Sequence, residues 1–192
     1  MHDLQKEAYG PPGDPAKHLS MDALKAGLKA LPAAPRDLGR LEGIVRRLPD
    51  GQREMPESTR LNLEEGVPGD GWNRRPPRNI EAQLTVIRMD IAQLIAGGQP
   101  VDHFGDNLLV DLDLTTRSLP AGSRLRVGEA LVEVSPLPHN GCLKFKARFG
   151  QDALLFVQAP AIRPENRRGI HWRVIKPGEI RVGAAIEVLS RP

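Results

Sequence analysis

Cys142 is the single cysteine of the chain. It lies within residues 124–150, RLRVGEALVEVSPLPHNGCLKFKARFG, in a base-rich loop that follows strand-like sequence. A thiolate is a stronger nucleophile and a better soft-metal ligand than any other side chain present. Pro138, His139, Asn140 and Gly141, which precede it, are poor core-strand residues. Lys144, Lys146 and Arg148, which follow it, would stabilise a thiolate if they turn towards it. His139 either lowers the thiol pKa or faces solvent. Taken alone, a lone cysteine is more often a small packing residue than a reactive one; the polar loop around Cys142 weakens that reading, and both stand at this level.

A second set of residues is scattered along the chain at places where strand-like runs meet loops, which is where barrels carry their sites. It comprises Arg60, the Gly69-Asp70-Gly71 turn with Trp72, Asn73 and Arg74, His103 with Asp106 and Asn107, the 138–142 loop, and Arg167-Arg168 before Gly169. Arginines entering loops beside glycine-rich turns suit an anion. The guanidinium fork binds phosphate in two places at once, and such turns expose backbone N–H groups. Each member also has a purely structural reading. Arg167 and Arg168 can form surface ion pairs, Asp70 can close its own turn, Asn107 can cap a loop, and Trp72 can cover a core. The five histidines, His2, His18, His103, His139 and His171, lack metal-ligand spacing, and one cysteine has no CxxC partner, so no zinc pattern exists. GxGxxG, GxxxxGK[ST] and GxSxG are absent, which removes the main support for dinucleotide, P-loop and hydrolase chemistry.

The elements that must position these residues read mainly as short strands. Residues 1–17 are polar and Pro/Gly-rich and form an arm, with His2 and His18 solvated. The stretch HLSMDALKAGLKALPAAP is a helix capped by Ser20, with Asp22 in its first turn, Leu24, Leu28 and Leu31 on one face, and Pro32 as its stop. LEGIVRRL is a strand before the Pro49-Asp50-Gly51 turn. AQLTVIRM is strand-like, and MDIAQLIAGG is helical up to Gly97-Gly98. From Leu108 to Leu114 apolar residues alternate. RLRVGEALVEVSPL gives two strands around Gly128-Glu129, residues 151–157 a short helix, and RRGIHWRVIKPGEIRVGAAIEVL two or three strands. Many short strands without regular βαβ alternation predict an α+β, mainly β fold: a β-barrel with short peripheral helices (39–192) and an N-terminal helical extension (1–38). Closure would also remove exposed strand edges.

Composition bounds the function classes. The 192 residues are 40% hydrophobic but only 4% aromatic, so the core is aliphatic. Twenty-seven basic against 24 acidic residues leave +3, with no long basic run and no aromatic stripe, which argues against a nucleic-acid partner. One cysteine excludes an intrachain disulfide framework. No secretory signal pattern opens the chain, and no run approaches the roughly 18 apolar residues of a membrane span. A cytoplasmic protein without membrane partners is expected.

Taken in order, the motifs resemble the MOSC domain, which forms the C-terminal part of molybdenum cofactor sulfurases and also occurs as stand-alone bacterial proteins. The resemblance runs over roughly residues 39–189. It rests on LEGIVRRL, the Val67-Pro68-Gly69-Asp70 turn, NIEAQLTVIRMD, FGDNLLVDLDL, LPAGSRLRVGEALVEVSPLPHNGCLKF and the final RRGIHWRVIKPGEIRVGAAIEVL. It implies a strand-rich barrel that binds molybdenum cofactor (molybdopterin), with Cys142 as molybdenum ligand or sulfur acceptor. The cofactor-binding candidates are then Arg60, Asp70, Asn107, His139, Asn140, Lys144, Arg167 and Arg168. The family's Gly-Glu-Asn segment falls on Gly105, Asp106 and Asn107, with Asp for Glu, and its late arginine on Arg168. Two departures stand out: Gly183-Ala184 replaces a usual Gly-Asp pair, and Gly71-Trp72-Asn73-Arg74 stands where relatives often carry a histidine. The chain is too short for a pyridoxal-phosphate lyase domain, so any sulfur would come from a separate cysteine desulfurase. A reductase is the partner expected of an enzyme, and reduction of N-hydroxylated compounds the activity. A non-enzymatic sulfur carrier and an anion-binding barrel module are the alternatives.

Overall fold

The computed structural model describes residues 10–192. Part of the expected arm, His2 included, falls outside them. Seven strands close into a barrel in the order β1-β11-β7-β8-β9-β5-β6. They are β1 (Leu38–Ile44), β5 (Leu84–Arg88), β6 (Leu108–Asp111), β7 (Arg124–Val127), β8 (Ala130–Val134), β9 (Ile170–Lys176) and β11 (Ala185–Ser190). All neighbours are antiparallel except β5 and β6. That parallel pair needs a crossover, which α2 (Met89–Ala96) and a 3-10 turn (Val101–Phe104) supply. Two small ladders flank the barrel: β2 (Arg46–Arg47) with β3 (Arg53–Glu54), and β4 (Ser58–Leu61) with β10 (Gly178–Arg181).

Strand alternation sorts the aliphatic residues into two cores. Leu41, Leu84, Val86, Leu108, Val110 and Trp172 fill the barrel. Their opposite-facing neighbours Ile87 and Leu109 join a helical layer with Leu24, Ile91, Phe145 and Phe156. That layer is built from α1 (Met21–Ala30), α2, α3 (Leu143–Phe149) and α4 (Gln151–Gln158). Helix α1 forms as expected. The Ser20 hydroxyl accepts from the Ala23 N–H at 3.3 Å, Leu24 is fully buried, and Leu28 and Leu31 pack beside it. Gly97 ends α2 in the left-handed conformation.

Three expectations need correction. LEGIVRRL is not one strand: β1 stops at Ile44, and Arg46 and Arg47 leave the barrel to pair with β3. Arg47 is thereby turned to the barrel's end. His18 is not simply solvated, since its Nε2 lies 3.0 Å from the Arg148 carbonyl oxygen. Gly13 packs so tightly there that a Cβ would fall 2.3 Å from that oxygen, so residues 10–18 of the arm dock on the body. Finally, the basic stretch after Cys142 is helical, not a loop. Its lysines therefore follow a 3.6-residue period: Lys144 and Arg148 share a face with Phe145, and Lys146 turns to solvent.

Candidate functional site

Cys142 is the exposed N-cap residue of α3, its carbonyl receiving the Lys146 N–H at 3.0 Å. It opens on a cavity of about 170 Å³. Helix α3 contributes Lys144, Phe145 and Arg148 to the wall, the β2–β3 ladder contributes Arg47 and Arg53, the loop before β5 contributes Arg75, and the segment before β9 contributes Arg168. Among the described residues, six cationic side chains thus line it against one carboxylate, that of Asp106, and Asp70 pairs with one of the six, Arg47, from behind the wall.

Two buried ion pairs set the frame. Arg168 donates from Nη1 to Asp106 Oδ2 at 2.6 Å, and its guanidinium lies 5.2 Å from the Phe145 ring centre and 5.8 Å from that of Phe104. Gly169 makes this placement possible. Its φ is +91°, and a Cβ there would come within 2.1 Å of the Val86 oxygen, so the chain passes β5 only without a side chain. Asp70 receives the Arg47 backbone N–H at 2.7 Å, the Arg47 Nη2 at 2.5 Å and the Trp72 N–H at 2.8 Å. Burial raises the Asp70 carboxyl, but the Arg47 charge and the hydrogen bonds from Arg47 and Trp72 outweigh it and hold the pKa below the usual 3.8. Asn107 is buried and occupied: its Oδ1 accepts from the Thr85 N–H and hydroxyl, both at 3.1 Å, and its Nδ2 donates to the Val45 oxygen. It ties β5 to β6 and to the end of β1. Asp70 and Asn107 thus hold the frame.

Arg53 is held by the carbonyl oxygens of Gly51 and Gln52, and Arg148 by those of Pro11 and His103. Burial, followed by repulsion from Arg148 and Arg47, lowers the Arg53 pKa to about 10. Burial also lowers Lys144 and Arg148. His139 sits in the wall with Nδ1 3.6 Å from Asp106 Oδ1, too far for a hydrogen bond, and its ring centre 4.5 Å from that of His171. Burial and the positive charge of Arg168 push its pKa well below 6.5, so it is neutral near pH 7 and adds no charge beside the thiol. Buried Nε atoms of Arg53 and Arg168, Nη2 of Arg148 and Nδ1 of His139 have no hydrogen-bond partner among the described residues. A buried donor without an acceptor is costly, and the three arginine N–H groups around one cavity suit an anionic ligand.

Of the residues singled out from sequence, Cys142, His139, Lys144 and Arg168 meet at this cavity, together with Asp106. Arg60 is exposed on β4 opposite Glu179 and does not line it. Arg167 is engaged elsewhere, donating to Glu165 at 2.8 Å and stacking 4.5 Å over Phe156. Asn140 lines a neighbouring chamber. Trp72 donates to the Asn79 oxygen at 3.2 Å, away from the cavity. His103 contributes its carbonyl, which receives Arg148 Nη1 at 2.8 Å. Arg47, Arg53 and Arg75 were missed as site residues. Arg47 was visible only as half of an Arg-Arg pair ending a strand, and the others lie in polar sequence without period.

No helix among the described residues is long and apolar enough to cross a membrane. The fold is similar to that of YuaD from Bacillus subtilis, at 20% identity and TM-score 0.57, over 83% of this chain and all of that one. It is also similar to YiiM from Escherichia coli, at 24% identity and TM-score 0.53, over 80% and 71% of the two chains. A crystal structure described only as that of a hypothetical protein aligns at TM-score 0.60 and 23% identity, over 81% and 70%. None of the curated proteins matches significantly. The family model for the MOSC domain matches residues 70–187, which hold the Asp70 turn, the Asp106–Asn107 segment, Cys142 and Arg168, and on this match the chain belongs to the MOSC domain family.

Proposed function

We propose that this MOSC domain binds a pterin-based molybdenum cofactor, with the cofactor's phosphate among the cavity cations and Cys142 as the molybdenum ligand or sulfur acceptor. The observation that carries the reading is the excess of cations over carboxylates at this cavity, six lining cations against Asp106 in the wall and Asp70 behind Arg47, beside an exposed thiol. The family's association with the cofactor supports it. The residues suit the phosphate: a dianion would supply acceptors to the partnerless nitrogens of Arg53, Arg148 and Arg168 and relieve the repulsion that lowers Arg53. Soft thiolate suits a sulfur-rich metal centre.

When bound, such a cofactor supplies a two-electron redox centre, and the enzymatic form of the proposal is reduction of N–O bonds in N-hydroxylated compounds. The chain's own residues have definite tasks in it. Arg53, Lys144 and Arg148 hold the anion, Asp70 keeps Arg47 in place, and Phe104 and Phe145 shield the Arg168–Asp106 pair from water. Cys142 gives up its proton on ligation. The test is expression in a cofactor-competent host, with molybdenum and pterin measured in the wild type and in Cys142→Ser. Wild type carrying both, and the variant depleted of metal, is expected. Neither molybdenum nor pterin in the wild type would sink the reading.

The exposure of Cys142 favours a second reading, carriage of a persulfide from a cysteine desulfurase to an acceptor. It predicts a gain of about 32 Da, one sulfur, on the Cys142 peptide after incubation with a desulfurase. The anion-module alternative predicts that Cys142→Ala leaves phosphate affinity unchanged and that the wild type carries no metal.

A further inference from the structure

A second chamber, of about 310 Å³, lies on the far side of His139 and Arg168, which line both spaces. The 139–142 segment runs between the two. His139 is in both walls, Asn140 lines the chamber, and Cys142 lines the cationic cavity. Gly141 keeps this segment tight, because a Cβ there would come within 2.5 Å of Leu154 Cδ1. A molecule in the chamber therefore shares the His139 and Arg168 walls with the cavity that holds the thiol.

The chamber's chemistry differs from that of the cavity. Its body is aliphatic, formed by Leu119, Val134, Leu137, Val157 and Ile170. Among the described residues no carboxylate lines it; its charged groups are Arg163, exposed at the mouth, and Arg168 at the inner end, where Asp106 pairs with it. Its size is that of roughly ten water molecules at about 30 Å³ each, enough for one substituted ring. An apolar slot with Arg163 at its mouth recognises a small organic anion with an apolar body. We propose that this chamber is a binding site for small aromatic carboxylates, with the carboxylate on Arg163 and the ring's far edge against His139. As a binding site it stands without any metal; as the substrate subsite it rests on the function proposed above.

The test is titration of the full chain with sodium benzoate, followed by amide NMR, with neutral benzamide, neutral pterin and inorganic phosphate as comparison probes. Saturable benzoate shifts should centre on Leu119, Val157 and Ile170, and phosphate shifts on Arg53 and Arg148, with each ligand binding in the presence of the other. Arg163→Gln, on an exposed side chain, should weaken benzoate about tenfold and leave benzamide and phosphate unchanged. Ala121→Trp, at the exposed mouth, should block both aromatic probes. The proposal is overturned if benzoate gives no saturable shifts, if phosphate displaces it, if Arg163→Gln binds it as tightly as wild type, or if pterin occupies the chamber as well as benzoate does. A protein from a cofactor-competent host that carries neither molybdenum nor pterin and still binds benzoate in this pattern would remove the cofactor reading and keep the site.

Discussion

Replacing Asp70 with Asn takes away one of the two oxygens that hold Arg47 at the end of the barrel. In the native protein, Oδ1 receives the Arg47 N–H and Nε, at 2.7 and 3.0 Å, and Oδ2 receives Arg47 Nη2 and the Trp72 N–H, at 2.5 and 2.8 Å. Whichever way the amide is turned, its NH₂ meets N–H donors. Breaking a buried pair from one side costs about 3–5 kcal/mol. Arg47 keeps some exposure and Asn keeps one acceptor, so the low end, about 3 kcal/mol, is expected. At an m-value of about 2 kcal/mol/M, the urea midpoint would fall by about 1.5 M. The pH dependence adds a second reading. The folded-state pKa of Asp70 lies below its unfolded value, so its stabilisation is fully present above about pH 3.9 and is lost as the pH falls through the folded value. The gap between wild type and Asp70→Asn should therefore be level from roughly pH 5 to 8 and close in acid. Urea melts across this range measure both. A midpoint difference under about 0.5 M at neutral pH, or a gap that persists unchanged in strong acid, would refute the reasoning.

Four further outcomes follow from the same geometry. Gly169→Ala should cost about 3 kcal/mol or more in denaturant melts, since it combines a positive φ with a 2.1 Å approach to the Val86 oxygen; a loss under about 1 kcal/mol would count against the tight passage of Arg168 over β5. Gly141→Ala should cost about 1–2 kcal/mol, and Leu154→Ala in the same chain should recover part of it, a coupling measurable in a double-mutant cycle. Phosphate at about a hundred times its Kd should stabilise the wild type by about 2.7 kcal/mol, roughly 5–10 °C in a thermal scan. Arg53→Gln should lose about half of that shift. Cys142→Ser should change stability by less than about 0.5 kcal/mol, because the thiol is exposed.

Local chemistry is what the sequence reports well. Ser20 and Gly97 mark the ends of helices because capping acts within one turn of the chain. The alternation from Leu108 to Leu114 marks a barrel wall because strand side chains have a period of two. The Gly128-Glu129 turn fixes a strand pair for equally local reasons. The helical period after Cys142 was hidden because LKFKARF alternates apolar and basic residues as a strand would, and only packing of Phe145 and Phe149 against Phe104 selects the helix.

Residue types and motif order by themselves determined the family and placed Cys142, His139, Lys144 and Arg168 in one candidate set with Arg60, Asp70, Asn107, Asn140 and Arg167. They did not separate residues that face the cavity from those that hold its frame. Asp70 and Asn107 read as site residues, yet their polar atoms are taken up by Arg47, Trp72, Thr85 and Val45. Arg60 and Arg167 look like Arg53 and Arg148 on paper but point elsewhere. That distinction belongs to tertiary structure, because a cavity is made where distant segments converge. Six cations contributed by four separate parts of the chain repel one another, and only closure of the barrel and docking of α3 hold them together.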